Sequence, residues 1–293
     1  MIGRLLSRRR VLELCLAVLP GLAGARLLSE WLPSFEGPTS PEPPSRDLAL
    51  IGSTPVAAPD AEPISTPYDP SAHAWAFACD TTKCIGCCHC VDACKLENHV
   101  PEEPQYNRTW VERHVVAADG AVFVDSPDGG IHGFPPASTA PGAEGVAVRQ
   151  SLFVSRLCMQ CENPPCVSIC PVSATYRTPD GVVLVDQERC IGCGYCVVAC
   201  PYGARYLVPN GAELPNGNAG VADKCTWCYH RITKGRLPAC VEECPTQARV
   251  FGDLNDPDSP VNLVLRNKRV EVLKPELGTK PRVFYVGLEA EVG

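Results

Sequence analysis

The arrangement of the cysteines limits the fold of this chain more than any other feature of its sequence. The chain has 19 cysteines in 293 residues, and sixteen of them form four groups of four. Such a number requires either a disulfide framework or metal sites, and the spacing has to distinguish them. The groups are motif one, Cys84, Cys87, Cys90 and Cys94; motif two, Cys158, Cys161, Cys166 and Cys170; motif three, Cys190, Cys193, Cys196 and Cys200; and motif four, Cys225, Cys228, Cys240 and Cys244.

Motifs one and three have the spacing C-x2-C-x2-C-x3-C, which is typical of iron–sulfur cluster ligands. The first three cysteines wrap one cubane, whereas the fourth lies on the following helical turn and faces a neighbouring cluster, as in two-cluster bacterial ferredoxins. A proline follows the last cysteine of motifs two, three and four, which is a further ferredoxin feature. We therefore expect the motifs to work in pairs that exchange their fourth cysteines.

Motifs two and three are close in sequence and are predicted to form one such pair. Between them lie a turn at 179–181 and a predicted strand over 182–185, as in a two-cluster ferredoxin. Motifs one and four then form the second pair, with the first unit inserted between them. The predicted ligand sets are cluster A, Cys84, Cys87, Cys90 and Cys244; cluster B, Cys225, Cys228, Cys240 and Cys94; cluster C, Cys158, Cys161, Cys166 and Cys200; and cluster D, Cys190, Cys193, Cys196 and Cys170.

Zinc is the main alternative to iron–sulfur clusters. Four-cysteine zinc sites combine two close cysteine pairs separated by a dozen or more residues, and motif four taken alone has a similar pattern. Motifs one and three do not, because their spacings crowd a tetrahedral site. Covalent haem needs C-x-x-C-H, and neither His89 nor His230 stands at the required position. Both histidines are predicted not to be ligands, because every ligand position is already filled.

Three cysteines and several charged residues fall outside the ligand sets. Cys15 belongs to the N-terminal segment, while Cys79 and Cys88 are expected to pack as small apolar side chains, with a disulfide between them as the alternative. Charged residues beside the motifs are expected either to be solvated or to raise the potential of a cluster. They are Lys83, Lys95, Arg189 and Lys224.

The N-terminus is predicted to be an export signal. Residues 1–25 combine a basic start containing Arg8, Arg9 and Arg10 with an apolar run too short for a permanent membrane span. The run 7–12 resembles a twin-arginine signal, with a plain secretory signal as the alternative. The twin-arginine route carries folded proteins, so we expect the chain to be exported folded, to the periplasm or the outer face of the cytoplasmic membrane. No direct membrane span is expected after signal removal.

Residues 29–70 are rich in proline and poor in apolar residues, which predicts a poorly ordered linker. A strap packed along a partner subunit is the alternative. The net charge is −7, and no basic patch indicates a nucleic-acid partner. The sequence also lacks a dinucleotide-binding fingerprint and a nucleophile–base pair. We therefore expect a non-catalytic protein.

Six stretches of this sequence resemble a known family: CIGCCHCVDACKLENHVP, YNRTWVER, CENPPCVSICP, DQERCIGCGYCVVACPYGARY, KCTWCYHRITKGRLPACVEECPTQARVFGDLNDPDSPV and LKPELGTKPRVFYVG. They resemble the four-cluster iron–sulfur subunits of molybdopterin oxidoreductases, such as the dimethyl-sulfoxide, polysulfide and tetrathionate reductases and formate dehydrogenase. The resemblance covers 79–290. It implies an α+β fold with two tandem, interleaved bacterial-ferredoxin-like units, long loops and four 4Fe–4S cubane clusters.

The outer unit is expected to comprise 79–113 and 221–255, and the inner unit 151–210. A Gly/Pro-rich insertion, 114–150, departs from the family pattern. It is expected to be a surface excursion with a strand at 122–124, or else a docking element for a partner.

The resemblance also implies a function in a larger assembly. The chain would pass electrons between a molybdopterin-containing catalytic subunit and a multi-span, quinone-reactive membrane subunit or cytochrome. A freestanding periplasmic polyferredoxin that shuttles electrons by diffusion is the alternative from another class. A structural zinc scaffold is the third hypothesis.

Overall fold

The computed structural model describes residues 67–210 and 219–288, all of which belong to one compact unit, 58–293. The predicted signal peptide, with Cys15, and all of the predicted linker before residue 67 lie outside the described residues. The first described residues are anchored to the fold, since Tyr68 donates a hydrogen bond to Asp180 and accepts one from Trp75 Nε1 at 2.9 Å.

Short strands make up most of the regular structure, and in the described ranges they form four small sheets. The sheet orders are β10-β11-β1-β9, β3-β2-β4, β5-β6 and β7-β8. The strands there are β1 Trp75–Asp80, β2 Thr109–Ala117, β3 Val122–Asp125, β4 Val148–Leu157, β5 Thr175–Arg177, β6 Val183–Val185, β7 Arg205–Leu207, β8 Ala222–Lys224, β9 Arg249–Asp253, β10 Val270–Glu271 and β11 Val283–Val286.

The helices are short, because prolines and the turns of the cysteine motifs interrupt them. The described part of the chain holds no helix with the length and apolar character needed to cross a membrane. Single 3-10 turns lie at Pro70–Ala72, Pro127–Gly130, Ala137–Thr139 and Pro275–Leu277. The described α-helices are α1 His89–Asn98, α2 Pro165–Ser168, α3 Tyr195–Val198, α4 Tyr229–Ile232, α5 Ala239–Glu242 and α6 Pro260–Asn267.

The four-stranded sheet joins distant parts of the chain. Strand β1, which ends just before motif one, pairs antiparallel with β9, which begins just after motif four, and parallel with β11. Phe77 of β1 lies opposite Phe251 of β9 and is completely buried, as is Tyr285 of β11. This pairing brings motifs one and four together although the whole inner segment separates them in sequence.

The predicted strand at 122–124 is confirmed as β3. The 114–150 insertion is less exposed at its base than the surface excursion predicted from the sequence. Strand β2 at its start pairs antiparallel with strand β4 at its end. Val111, Val115 and Val154 of these strands are buried, so the base of the insertion contributes to the core. Their apolar side chains account for the difference, since burying them stabilises the sheet.

The strand predicted between motifs two and three is observed as β6, one residue shorter than expected. It forms an antiparallel hairpin with β5. Val182 lies outside the strand because its amide donates to Thr178 Oγ1 at 3.0 Å within the turn. The mixture of short helices and small sheets confirms the α+β class.

Candidate iron–sulfur sites

The residue before the second cysteine adopts a left-handed backbone in all four motifs. Gly86 and Gly192 both have a φ of 69°, Gln160 has 45° and Trp227 has 54°. This conformation suits glycine, which has no Cβ to clash with the backbone. Each motif therefore turns with the same hand between its first two cysteines, whatever residue stands there.

The backbone also turns in a common way after the fourth cysteine of motifs two, three and four. A proline follows, and the residue three places after the cysteine has a positive φ: 52° at Ser173, 63° at Gly203 and 53° at Gln247. Motif one lacks the proline, and its helix α1 continues past Cys94 for another turn. Left-handed His99 ends that helix, with its amide bonded to Lys95 O.

One pocket brings motif one together with the last cysteine of motif four. Arg249 and the spare Cys88 also lie in its wall. The other sulfur-bearing residues are those assigned to cluster A from the sequence, Cys84, Cys87, Cys90 and Cys244.

A second pocket brings motif two together with the last cysteine of motif three. Met159, Val183, Tyr202 and Arg205 complete part of its wall. The cysteines around it are those assigned to cluster C, Cys158, Cys161, Cys166 and Cys200.

Cys94 is buried beside motif four rather than exposed at the end of motif one. Burial raises the pKa of its thiol well above the usual range, and the neighbouring Cys225, Cys240 and Cys228 raise it further. The amide of Asn98 lies 3.6 Å from the sulfurs of both Cys94 and Cys228. These cysteines are those assigned to cluster B.

The orientation of the Asn98 amide is held by a buried ion pair. Arg108 Nη1 donates to Asn98 Oδ1 at 2.8 Å, which turns Nδ2 towards the two sulfurs and towards Cys94 O, to which it donates at 3.1 Å. Arg108 in turn makes a two-pronged interaction with Asp223 on β8, at 2.8 Å for each hydrogen bond. Two-pronged arginine–carboxylate pairs fix geometry well, so the amide is preorganised.

Of the cysteines assigned to cluster D, Cys196 lies on helix α3 and Cys170 lies two residues after the end of helix α2. These two helices, which hold Cys166 and Cys196, pack against each other. The amide of Ala174 donates to Cys170 Sγ at 3.2 Å, and that of Ala222 to Cys190 Sγ at 3.4 Å. Burial raises the pKa of Cys170, but backbone amides outweigh it, and the net shift is downward. That thiol is thus surrounded by donors that stabilise a thiolate.

Grouped sulfurs, apolar walls and N–H donors aimed at sulfur are what a 4Fe–4S cluster requires of a protein. Such a cluster supplies one-electron chemistry, while the protein supplies ligands, burial and hydrogen bonds. Within 67–210 and 219–288, no group of three or more His, Cys, Asp or Glu side chains is placed to hold a single metal ion. The shared pockets of cysteines and the amides that donate to sulfur fit the cofactor predicted from the cysteine spacing.

Comparisons with known proteins agree with this chemistry. Residues 149–254 match the family model described as a 4Fe–4S dicluster domain. The chain is 41% identical over 219 residues to a tetrathionate reductase subunit of Salmonella typhimurium, covering 74% of each protein. It belongs to the family of 4Fe–4S subunits of multi-subunit reductases. The resemblance inferred from the cysteine motifs is confirmed.

Other members of this 4Fe–4S subunit family match over similar lengths. The corresponding tetrathionate reductase subunit of Archaeoglobus fulgidus is 44% identical over 214 residues, which is 73% of this chain and 82% of the relative. A polysulfide reductase subunit of Wolinella succinogenes is 39% identical over 208 residues, or 71% and 91%. The protein is thus a 4Fe–4S electron-transfer protein.

Three buried cations lie close to the cysteines of this 4Fe–4S subunit. The sequence pointed to Lys224, which is completely buried, but not to Arg205 and Arg249, which are 5% and 3% exposed. Burial lowers the pKa of Lys224, and its ammonium group donates to Val183 O and to Cys225 O. The missed signal was the repeated sequence C-P-x-x-A-R in motifs three and four.

The flanking charges Lys83 and Arg189 are exposed, so the solvated alternative applies to them. Lys95 donates instead to backbone carbonyls, including Pro101 O at 2.7 Å. His230 pairs with Glu97 at 2.6 Å at the surface.

The spare cysteines Cys79 and Cys88 are free thiols in the core. Cys88 has a φ of 60°, and its thiol donates a hydrogen bond to Gly86 O of the same loop at 3.3 Å. Burial raises the pKa of Cys79 and of Cys88 to about 12. Both thiols are therefore protonated at neutral pH, which makes them poor nucleophiles. The predicted packing of these cysteines as apolar side chains agrees with their burial.

Proposed function

We propose that this chain is the non-catalytic electron-transfer subunit of an exported respiratory oxidoreductase, with four 4Fe–4S clusters in two interleaved ferredoxin-like units. The observation that carries the proposal is the pocket shared by motif one and Cys244. An exchange of fourth cysteines between motifs accounts for that combination. The pocket around Cys158, Cys161 and Cys166 that also contains Cys200 supports the same exchange in the inner unit.

The ligand sets A to D inferred from the sequence are therefore retained as proposed. Sixteen cysteines provide four ligands for each of four clusters, and Cys79 and Cys88 remain outside. Support for set B is the burial of Cys94 among the thiols of motif four. Support for set D is the packing of α3, which carries Cys196, against α2, which ends two residues before Cys170.

Packing of the elements that carry the sets gives the proposed order A–B–C–D. Helix α1, which carries Cys90 of set A, packs against α5, which carries Cys240 of set B. Cys158 of set C is near enough to Cys225 of set B to raise its pKa. Gln160 spans this middle junction, with Nε2 donating to Cys225 O at 2.8 Å and Oε1 accepting from Val183 N at 2.7 Å. Arg205, beside sulfurs of sets C and D, marks the last junction.

The two ends of this order reach the surface. Cys87 of set A and Cys193 of set D are both exposed. The isoleucines of the two C-I-G-C loops are exposed beside them, Ile85 by 60% and Ile191 by 64%. An exposed apolar side chain next to a terminal cluster suits docking of a redox partner at each end.

The proposed partners are a molybdopterin-containing catalytic subunit at one end and a multi-span, quinone-reactive membrane subunit or cytochrome at the other. The relatives are named as components of tetrathionate and polysulfide reductases, which favours assembly in a complex over a freestanding polyferredoxin. Export through the twin-arginine route is proposed from residues 1–25, so the complex would face the periplasm.

Purification from native membranes tests the proposal. A tagged full chain should co-purify with a large molybdopterin subunit and a multi-span membrane protein, and should contain about sixteen irons (four for each of four clusters). A chain that runs as a monomer and reduces several acceptors would favour the polyferredoxin alternative. An iron content well below sixteen would contradict the ligand sets.

A further inference from the structure

The six residues that begin at the last cysteine of motif three and of motif four are identical at four positions. Cys200 begins C-P-Y-G-A-R and Cys244 begins C-P-T-Q-A-R, so Arg205 and Arg249 both stand five places after a fourth cysteine. The two turns are alike, with positive φ at the fourth residue of each. The repeated sequence therefore places one arginine at the same position in each ferredoxin-like unit.

Arg205 lies between the cysteines of sets C and D. Its Nη2 donates to Cys166 Sγ at 3.1 Å, and its Nη1 donates to Thr175 Oγ1 at 3.3 Å. Its strand β7 packs against helix α3, which carries Cys196 of set D. Burial lowers the pKa of Arg205, but Cys166, Cys158 and Cys196 outweigh that effect and the net shift is upward.

Arg249 occupies the matching position between sets A and B. Its Nη2 donates to Thr109 Oγ1 at 2.8 Å, and the side chain is in the wall of the pocket of set A. Its strand β9 packs against helix α5, which carries Cys240 of set B. Among the described residues, Nη1 is buried without a hydrogen-bond partner.

Neither guanidinium is paired with a carboxylate in the part of the chain that the structure describes. Their hydrogen bonds go to hydroxyl groups and to cysteine sulfur. An unpaired buried cation is costly, and an ionised partner normally accompanies it. Clusters held by the proposed ligand sets would carry negative charge, and that charge would compensate the two guanidinium groups.

We propose that Arg205 and Arg249 are matched positioning residues, each of which raises the reduction potentials of the two clusters that it separates. This inference rests on the ligand sets of the proposed function. Reduction adds one negative charge to a cluster, and a buried guanidinium stabilises that charge because the low dielectric leaves it unscreened. Arg249 would act on clusters A and B, and Arg205 on clusters C and D.

The experiment is an EPR-monitored redox titration of the intact complex with Arg205→Gln, Arg205→Lys, Arg249→Gln and Arg249→Lys. Arg249→Gln should lower the reduction potentials of clusters A and B by at least about 59 mV. For a one-electron couple this is a tenfold change in the equilibrium constant of reduction. The potentials of clusters C and D should stay unchanged. Arg205→Gln should give the reverse pattern. Each Lys variant should recover most of the shift, because it keeps the charge.

Two exposed cations provide matched controls. Lys83→Gln removes a charge next to Cys84 of set A, and Arg189→Gln removes one next to Cys190 of set D. Both are adjacent in sequence to a ligand but lie in solvent, where screening weakens their effect. They should move the potentials far less than the buried arginine variants.

Iron analysis separates the outcomes. If the parent complex contains far fewer than sixteen irons, the proposed function fails before the arginines are tested. If the Gln variants keep all their iron and no potential shifts, or if all four clusters shift equally, the pairwise role is wrong. If both the Gln and Lys variants of one arginine lose iron, that arginine is purely structural and the proposal is overturned for it.

Discussion

The side-chain amide of Asn98 lies 3.6 Å from Cys228 Sγ although 130 residues separate them in sequence. The same amide is 3.6 Å from Cys94 Sγ on its own helix. One donor therefore serves a cysteine from motif one and a cysteine from motif four. Since Arg108 holds the amide oxygen, this donor is directed at the proposed cluster B before any redox change.

We expect Asn98→Leu to lower the potential of cluster B alone. A hydrogen bond to a charged acceptor contributes roughly 1.5 kcal/mol, or about tenfold in an equilibrium. The corresponding shift is at most about 59 mV for a one-electron couple. EPR-monitored titration of the complex measures it. Asn163→Leu is the matched control, because Asn163 also lies beside a cysteine motif but donates to Gly278 O at 3.2 Å. Equal shifts in both variants would contradict this role.

The exchange of fourth cysteines predicts which ligand variants act on the same cluster. Cys94→Ser and Cys228→Ser should each remove or damage cluster B. The variant that combines them should therefore lose only the irons of one cluster, about four. Combining Cys94→Ser with Cys87→Ser should damage two clusters and lose about eight irons. Iron and sulfide analysis distinguishes the two cases. The opposite pattern would show that motif one closes on a single cluster.

Cys88→Gly should leave the iron content unchanged. Cys88 has a left-handed backbone and occupies the place of Gly194 in motif three, whose φ is 74°. Glycine would relieve about 1 kcal/mol of backbone strain, while loss of a buried sulfur offsets part of that gain. Cys87→Gly, one residue away, should instead destroy cluster A. Loss of iron in Cys88→Gly would make that cysteine a ligand.

Gly192→Ala should destabilise the C-I-G-C loop of motif three more than Gly203→Ala destabilises the next turn. Both glycines have positive φ, which costs an alanine about 1 kcal/mol. At Gly192 the added Cβ would also overlap the carbonyl oxygen of Gly220, whereas nothing lies within 4 Å of it at Gly203. The rate of cluster loss on anaerobic heating, followed by visible absorption, compares them. Similar rates of cluster loss in the two variants would mean that the loop at Gly220 moves aside to accommodate the added Cβ.

The 4Fe–4S cofactor could be predicted from sequence because the information that identifies it is local. A cubane needs three ligands on one tight loop, so C-x2-C-x2-C identifies the cofactor without knowledge of the fold. The same local pattern predicted the pairing of motif one with motif four by elimination, and the pocket shared by Cys84 and Cys244 agrees with it. Strand β3 was also predicted correctly, since a β-branched and aromatic run between glycines is a local signal.

The base of the 114–150 insertion and the buried cations depend on long-range packing instead. Strands β2 and β4 are recognisable as core only when they pair with each other, because their partners are distant in sequence. Lys224 and Arg189 both precede a ligand cysteine, yet Lys224 is buried and Arg189 is 65% exposed at its side chain. Charge and adjacency are properties of sequence, whereas burial, which decides whether a charge acts on a cluster, is set by tertiary structure.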